Sequence, residues 1–170
     1  GLVVNQTSVI GKTHLVDSLM KLNISIQSIF APEHGFRGTA VAGAHIDNSF
    51  DSKTKLPILS LYGSKHAPND ADLKGMAVLV FDIQDVGCRF YTFISTLHYV
   101  MEACSKNHVE IIVLDRPNPN GMYVDGPVLQ KGFESFVGVD HIPVLYGMTI
   151  GEYGLMVKGE QWIANADSLK

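Results

Sequence analysis

Residues 30–38 read Phe-Ala-Pro-Glu-His-Gly-Phe-Arg-Gly, which sets Glu33 and His34 in a turn between a proline and a glycine. A turn at a strand end can desolvate a carboxyl and raise its pKa toward that of a useful general acid. A second carboxylate can then stabilise positive charge or activate water, the division of labour that cleaves a glycosidic bond. Asp85 is the first choice for that partner, because it lies beyond its strand in Asp82-Ile83-Gln84-Asp85-Val86-Gly87-Cys88-Arg89-Phe90-Tyr91. Asp82 and Asp115 directly end apolar runs, where aspartate more often bonds loop amides. Glu152 has two readings. It can serve catalysis, or it can be the third residue of the capping box Thr149-Ile150-Gly151-Glu152 and satisfy backbone amides. Tyr91 and Tyr146 can face a sugar ring or simply pack.

The chain has only three arginines, Arg37, Arg89 and Arg116, and all lie in loops that follow strands, while its lysines are scattered. The guanidinium fork suits a carboxylate or phosphate. Each arginine can instead pair with a neighbouring acid and hold a loop. Other motifs fail. Gly11-Lys12-Thr13 suggests a phosphate-binding loop, but Gln6 stands where that loop needs glycine. No Gly-x-Gly-x-x-Gly follows the first strand, and no Gly-x-Ser-x-Gly elbow occurs. His34 with Asp82, Asp85 and Asp115 lacks local ligand spacing for a metal, so neither a metal nor a cofactor is expected.

The elements that would position these residues alternate between two periods. Strands are predicted at 2–4, 24–30, 56–61, 76–83, 109–114 and 142–145. Helices are predicted at 13–22, at 92–106 and from the capping box at 149, where Met148 and Tyr153 are spaced for a hydrophobic staple. The runs 76–83 and 109–114 are unbroken enough to read as buried strands. This alternation predicts an α/β fold, a doubly wound, Rossmann-like and mostly parallel sheet with helices on both faces. Ligands of such sheets bind outside the carboxyl ends of the strands. Residues 33–55 read as a long loop.

Composition narrows the function classes. The 170 residues are 46% hydrophobic and 18% charged, with a formal net charge of −4, which fits one globular domain. No basic run or basic–aromatic interleaving is present, against a nucleic-acid binder. Apolar runs fall short of a membrane-spanning segment. Cys88 and Cys104 lack zinc spacing, and Cys104 reads as a small core hydrophobe rather than half of a disulfide.

The strings GLVVNQT (1–7), FAPEHGFRG (30–38), LPILSLYG (56–63), FDIQDVGCRFYTFISTL (81–97), LDRPNPNG (114–121), GPVL (126–129), SFVGV (135–139) and YGMTIGE (146–152) occur in this order. Together they resemble the NamZ-type exo-β-N-acetylmuramidases, a family formerly described as a domain of unknown function. The resemblance covers nearly the whole chain. It implies that residues 1–170 are a Rossmann-like catalytic domain, cut at both ends, with a smaller C-terminal domain in the full-length protein. It also implies a hydrolase that releases N-acetylmuramic acid from the non-reducing ends of peptidoglycan fragments, in an extracytoplasmic location. The family's Pro-Glu-His-Gly glutamate falls on Glu33, and His34, Asp85, Arg89 and Tyr91 match its other polar strand-end motifs. Where the family commonly has His, this chain has Tyr146. Muramic acid carries a lactyl carboxylate that Arg37, Arg89 and Arg116 could select, and its acetamido and hydroxyl groups suit Asn5, Gln6, Gln84 and Asn118. The alternatives are a non-catalytic module for wall-derived sugar acids and a metal-dependent hydrolase.

Overall fold

A computed structural model of the chain describes residues 1–32, 36–37 and 49–170. Among the described residues the main sheet has six strands: β1 (Leu2–Val4), β4 (Ile29–Ala31), β5 (Ser49–Phe50), β6 (Pro57–Ser60), β7 (Val78–Asp82) and β8 (Glu110–Val113). They lie in the order β5-β6-β4-β1-β7-β8. All neighbouring pairs are parallel except β5 with β6. Two small antiparallel pairs stand outside this sheet. One is the hairpin of β2 (Val9–Ile10) and β3 (Thr13–His14), and the other joins β9 (Val124–Asp125) to β10 (Leu145–Tyr146). The helices are α1 (Leu15–Lys21), α2 (Asp70–Leu73), α3 (Phe93–Asn107) and α4 (Ile150–Gly159), followed by a 3₁₀ turn at Ala166–Ser168.

Strand periodicity divides the core in two. Val3, Phe30, Leu79 and Phe81 point to the face that packs α3 and α4 through Leu97, Val100, Met101, Tyr153 and Val157. Their sequence neighbours Leu2, Val4, Ile29 and Ala31 point to the other face, where α1 contributes Leu15 and Val16. This is the doubly wound, Rossmann-like arrangement, with helices on both faces. From β1 the chain winds outward through β4 to β6, then returns to β7 on the other side of β1. The direction therefore reverses between β1 and β7, and the carboxyl ends of those two strands diverge into loops there. Cys104 is fully buried on the core face of α3, burial pushes its thiol up to about 12, and neither it nor Cys88 is in a disulfide.

Several element boundaries differ from the sequence reading. The helix expected from residue 13 begins at Leu15, because Thr13 and His14 pair with Val9 and Ile10 across Gly11-Lys12, with Gly11 at φ 61. The strand expected over 24–30 is only Ile29–Ala31. Asn23 turns the chain off α1 at φ 57, and β1 offers only a short ladder to pair with. The strand at 109–114 is not buried. As an edge strand covered on one face, it leaves Ile112 41% exposed. The last strand is shifted from 142–145 to Leu145–Tyr146. The stretch expected as a loop, 33–55, contains β5, and most of it, including Glu33 and His34, lies outside the described residues.

Candidate active site at the strand switch point

Asn5 follows β1 directly and is fully buried. Its Oδ1 accepts from the Thr7 amide at 2.9 Å and from Thr7 Oγ1 at 2.6 Å. Thr7 Oγ1 in turn accepts the Gln84 amide at 2.9 Å, which ties the end of β1 to the loop after β7. Ser8 Oγ donates to the Asp82 carbonyl across the same junction. His14 closes the far side. Its Nδ1 accepts from the Val16 amide that opens α1, so its Nε2 donates to the Asn5 carbonyl at 2.9 Å. Burial lowers the His14 pKa, consistent with that neutral tautomer.

Four further side chains converge here, Asp82, Gln84 and Asp85 from the end of β7 and Arg116 from the end of β8. Asp82 is buried, and its Oδ1 takes Arg116 Nε at 2.8 Å and Nη2 at 2.7 Å. Gln84 Nε2 donates to the carbonyls of Asp85 and Pro117, bridging the loops after the two strands. Asp85 is also buried. Its Oδ2 accepts the Tyr146 hydroxyl and the Gly87 amide, while its Oδ1 and Asn5 Nδ2 have no hydrogen-bond partner among the described residues. Burial pushes the Asp85 carboxyl up, against the lowering pull of Tyr146 and Gly87. Burial and the adjacent carboxylate push the Tyr146 hydroxyl up.

Asn118 braces this junction. Its Nδ2 donates to the Met148 carbonyl at 2.8 Å, and its Oδ1 accepts the Asn120 amide. Gly87 must be glycine here. It sits at φ 74, and a Cβ would meet the Asn118 amide at 2.1 Å.

The other expected site residues are dispersed. Arg37 lies beside α1 and β5, with Nε and Nη2 each 3.0 Å from the Asp51 carboxylate and Nη2 3.3 Å from Asp17. Arg89 sends Nη1 to the carbonyls of Pro127 and Ile142, into the segment that leads to β10. Tyr91 is 48% exposed beside a still more open Phe90. Glu152 is exposed and completes the capping box in both directions: it accepts the Thr149 amide on Oε2, and its own amide donates to Thr149 Oγ1. Gln6 is exposed next to the switch point. Among the described residues, no group of three or more His, Cys, Asp and Glu could hold a metal ion.

Residues 1–169 match the family described as exo-beta-N-acetylmuramidase NamZ, N-terminal. The chain belongs to this family. It is 44% identical over 165 residues to the peptidoglycan beta-N-acetylmuramidase NamZ of Bacillus subtilis (strain 168). That match covers 94% of this chain but only 39% of the relative. Two solved structures of DUF1343 family proteins from Bacteroides fragilis superpose on it. One has a TM-score of 0.91 at 43% identity, over 100% of this chain and 43% of that one. The other has a TM-score of 0.85 at 45% identity, over 97% and 43%. The chain thus spans well under half the length of these relatives.

Within the NamZ N-terminal frame, Asn5, Gln84, Asp85, Arg116, Asn118 and Tyr146 are brought to one junction. Glu33 stands two positions after the end of β4 in the sequence and lies outside the described residues. The sequence reading missed Thr7, Ser8 and His14, which build the β1 side. It also missed a buried cluster beneath, where His98 Nδ1 lies 3.0 Å from Asp140 Oδ2 and Tyr153 donates to the same oxygen. A polar Asn-x-Thr-Ser run directly after a buried apolar strand is a signal that could have flagged Thr7 and Ser8, whereas nothing local flags His14.

Proposed function

We propose that this chain is the catalytic domain of an exo-acting β-N-acetylmuramidase, which releases N-acetylmuramic acid from the non-reducing ends of peptidoglycan fragments outside the cytoplasm. The family match over 1–169 carries this reading, and a polar switch point containing a buried carboxyl supports it. Glu33 is the general acid that protonates the leaving glycosidic oxygen. Asp85 is the second carboxyl, held by Tyr146 and Gly87. Asn5, Gln84 and Asn118 shape the floor on which the acetamido and hydroxyl groups rest, and His34, next to Glu33 in the sequence, is a further substrate-binding residue. Tyr91 offers an exposed ring to a sugar face. The match to the family's N-terminal model, with the greater length of the relatives, supports a second domain C-terminal to this one in the whole protein.

The test uses the full-length protein and a chromogenic β-glycoside of N-acetylmuramic acid. The parent releases the chromophore, and Glu33→Gln lowers turnover by about 10²–10⁴-fold, the usual worth of general acid catalysis. No turnover by the parent overturns the muramidase reading. Near-parent turnover by Glu33→Gln moves the acid role away from Glu33. Binding of free N-acetylmuramic acid without turnover, in parent and variant alike, points instead to a sugar-acid binding module.

A further inference from the structure

We propose that Arg89 reads the lactyl carboxylate that distinguishes N-acetylmuramic acid from N-acetylglucosamine. The inference rests on the muramidase reading and adds to it the residue that sets substrate preference. The three arginines differ in what already neutralises them. Arg37 is forked on Asp51 and also reaches Asp17. Arg116 is paired with the buried Asp82. A substrate carboxylate approaching either guanidinium also meets the resident carboxylates, which repel it. Arg89 has no carboxylate partner among the described residues. Its Nη1 is held between two backbone carbonyls, and its Nε and Nη2 have no hydrogen-bond acceptor there.

A half-buried guanidinium without a counter-charge is electrostatically incomplete, and an incoming carboxylate completes it. The position suits the task. Arg89 is four residues beyond Asp85 in the loop after β7, and its amide donates to the Val144 carbonyl, two residues before Tyr146. The same loop thus carries the second carboxyl, a cation with no carboxylate partner among the described residues, and the exposed Tyr91 ring. The carbonyl contacts of Nη1 fix the plane of the fork, so its two free nitrogens are pre-oriented before substrate arrives.

The experiment pairs β-glycosides of N-acetylmuramic acid and N-acetylglucosamine and measures kcat/KM for each in the full-length parent, Arg89→Met, Arg89→Lys and Arg116→Lys. The parent is expected to prefer the muramic acid glycoside by about ten- to a hundred-fold, as for one charge-assisted contact. Arg89→Met removes most of that preference. Arg89→Lys keeps the charge but loses the fork, and it retains only part of the preference. Arg116→Lys keeps the parent's ratio. Calorimetric binding of free N-acetylmuramic acid and N-acetylglucosamine repeats the comparison without turnover. A parent that turns over neither glycoside sinks the muramidase reading, and binding alone then decides the role of Arg89. An inference about Arg89 is overturned if the parent shows no preference, or if the Arg89 variants keep it. Should Arg89→Met fail to fold, Arg89→Lys, which can still donate to the two carbonyls, carries the test.

Discussion

At the scale of single residues, the pair of Arg37 and Asp51 makes a pH-dependent claim. The Arg37 guanidinium holds the buried Asp51 carboxyl well below its ordinary value of 3.8, with the Thr54 hydroxyl and amide adding to the effect against burial. A carboxyl depressed in the folded state stabilises fully above its unfolded pKa, and that contribution is lost as pH falls through the folded value. The contribution of this pair to the urea midpoint is therefore expected to be full and independent of pH above about pH 5 and to decline progressively below about pH 4. Arg37→Met leaves Asp51 unpaired and costs about 1–3 kcal/mol near neutral pH, less than a fully buried pair because the Arg37 side chain keeps 31% of its surface open. Equal urea midpoints for parent and variant at neutral pH would remove the pair from any account of stability. The sequence made Arg37 visible as a fork near a strand end, yet its partners lie 14 and 20 residues away. The partner of Asp85, Tyr146, is 61 residues distant, and no local period announces a contact of that span. Residue type and strand-end position were legible, whereas pairing is a product of topology.

At the scale of elements, α4 tests the two readings of Glu152. Its carboxylate accepts the Thr149 amide and its amide donates to Thr149 Oγ1, so the reciprocal cap is complete. Glu152→Gln is expected to be silent in both thermal melts and turnover, because glutamine fills the same position. Glu152→Ala should destabilise by about 0.5–1.5 kcal/mol with turnover preserved. A large fall in kcat for Glu152→Gln at an unchanged melting temperature would instead assign the residue to chemistry. This helix was readable because its signal is local: four residues set the start, and Ile150, Tyr153 and Val157 set the buried side. The 15-residue α3 was readable for the same reason of period. The four residues of α2 were not, since a single turn capped by Asn69 and Asp72 is too short to show a helical stripe. The two-residue strands of the β2–β3 hairpin and the β9–β10 pair are likewise too short to display alternation.

At the scale of the molecule, alternating strands and helices were enough to anticipate a parallel sheet, but not the order of its strands. That order follows from where each crossover packs, which depends on matching faces such as Leu2, Val4 and Ile29 against α1. The faces also explain why 109–114 looked buried in the sequence. Its apolar run is continuous, while the neighbours present cover only one side of β8. One feature of this core has a practical chemical use. Cys104 has no surface in the folded state, and its thiol is pushed up to about 12, so it is both inaccessible and protonated at ordinary pH. In a Cys88→Ala background it is the sole thiol of the chain. A thiol-reactive dye can then reach it only when α3 lifts from the sheet, and labelling becomes a clock for opening rather than for reactivity. With a domain stability of about 5–15 kcal/mol, labelling at neutral pH is expected to run at least a thousandfold slower than in urea-unfolded chain. Denaturant well below the midpoint should accelerate it in step with the global unfolding constant. Labelling at the rate of a free thiol would mean that α3 opens without unfolding the rest. The same cysteine therefore turns the packing of α3 into a stopwatch, readable by absorbance in any laboratory that can mix two solutions.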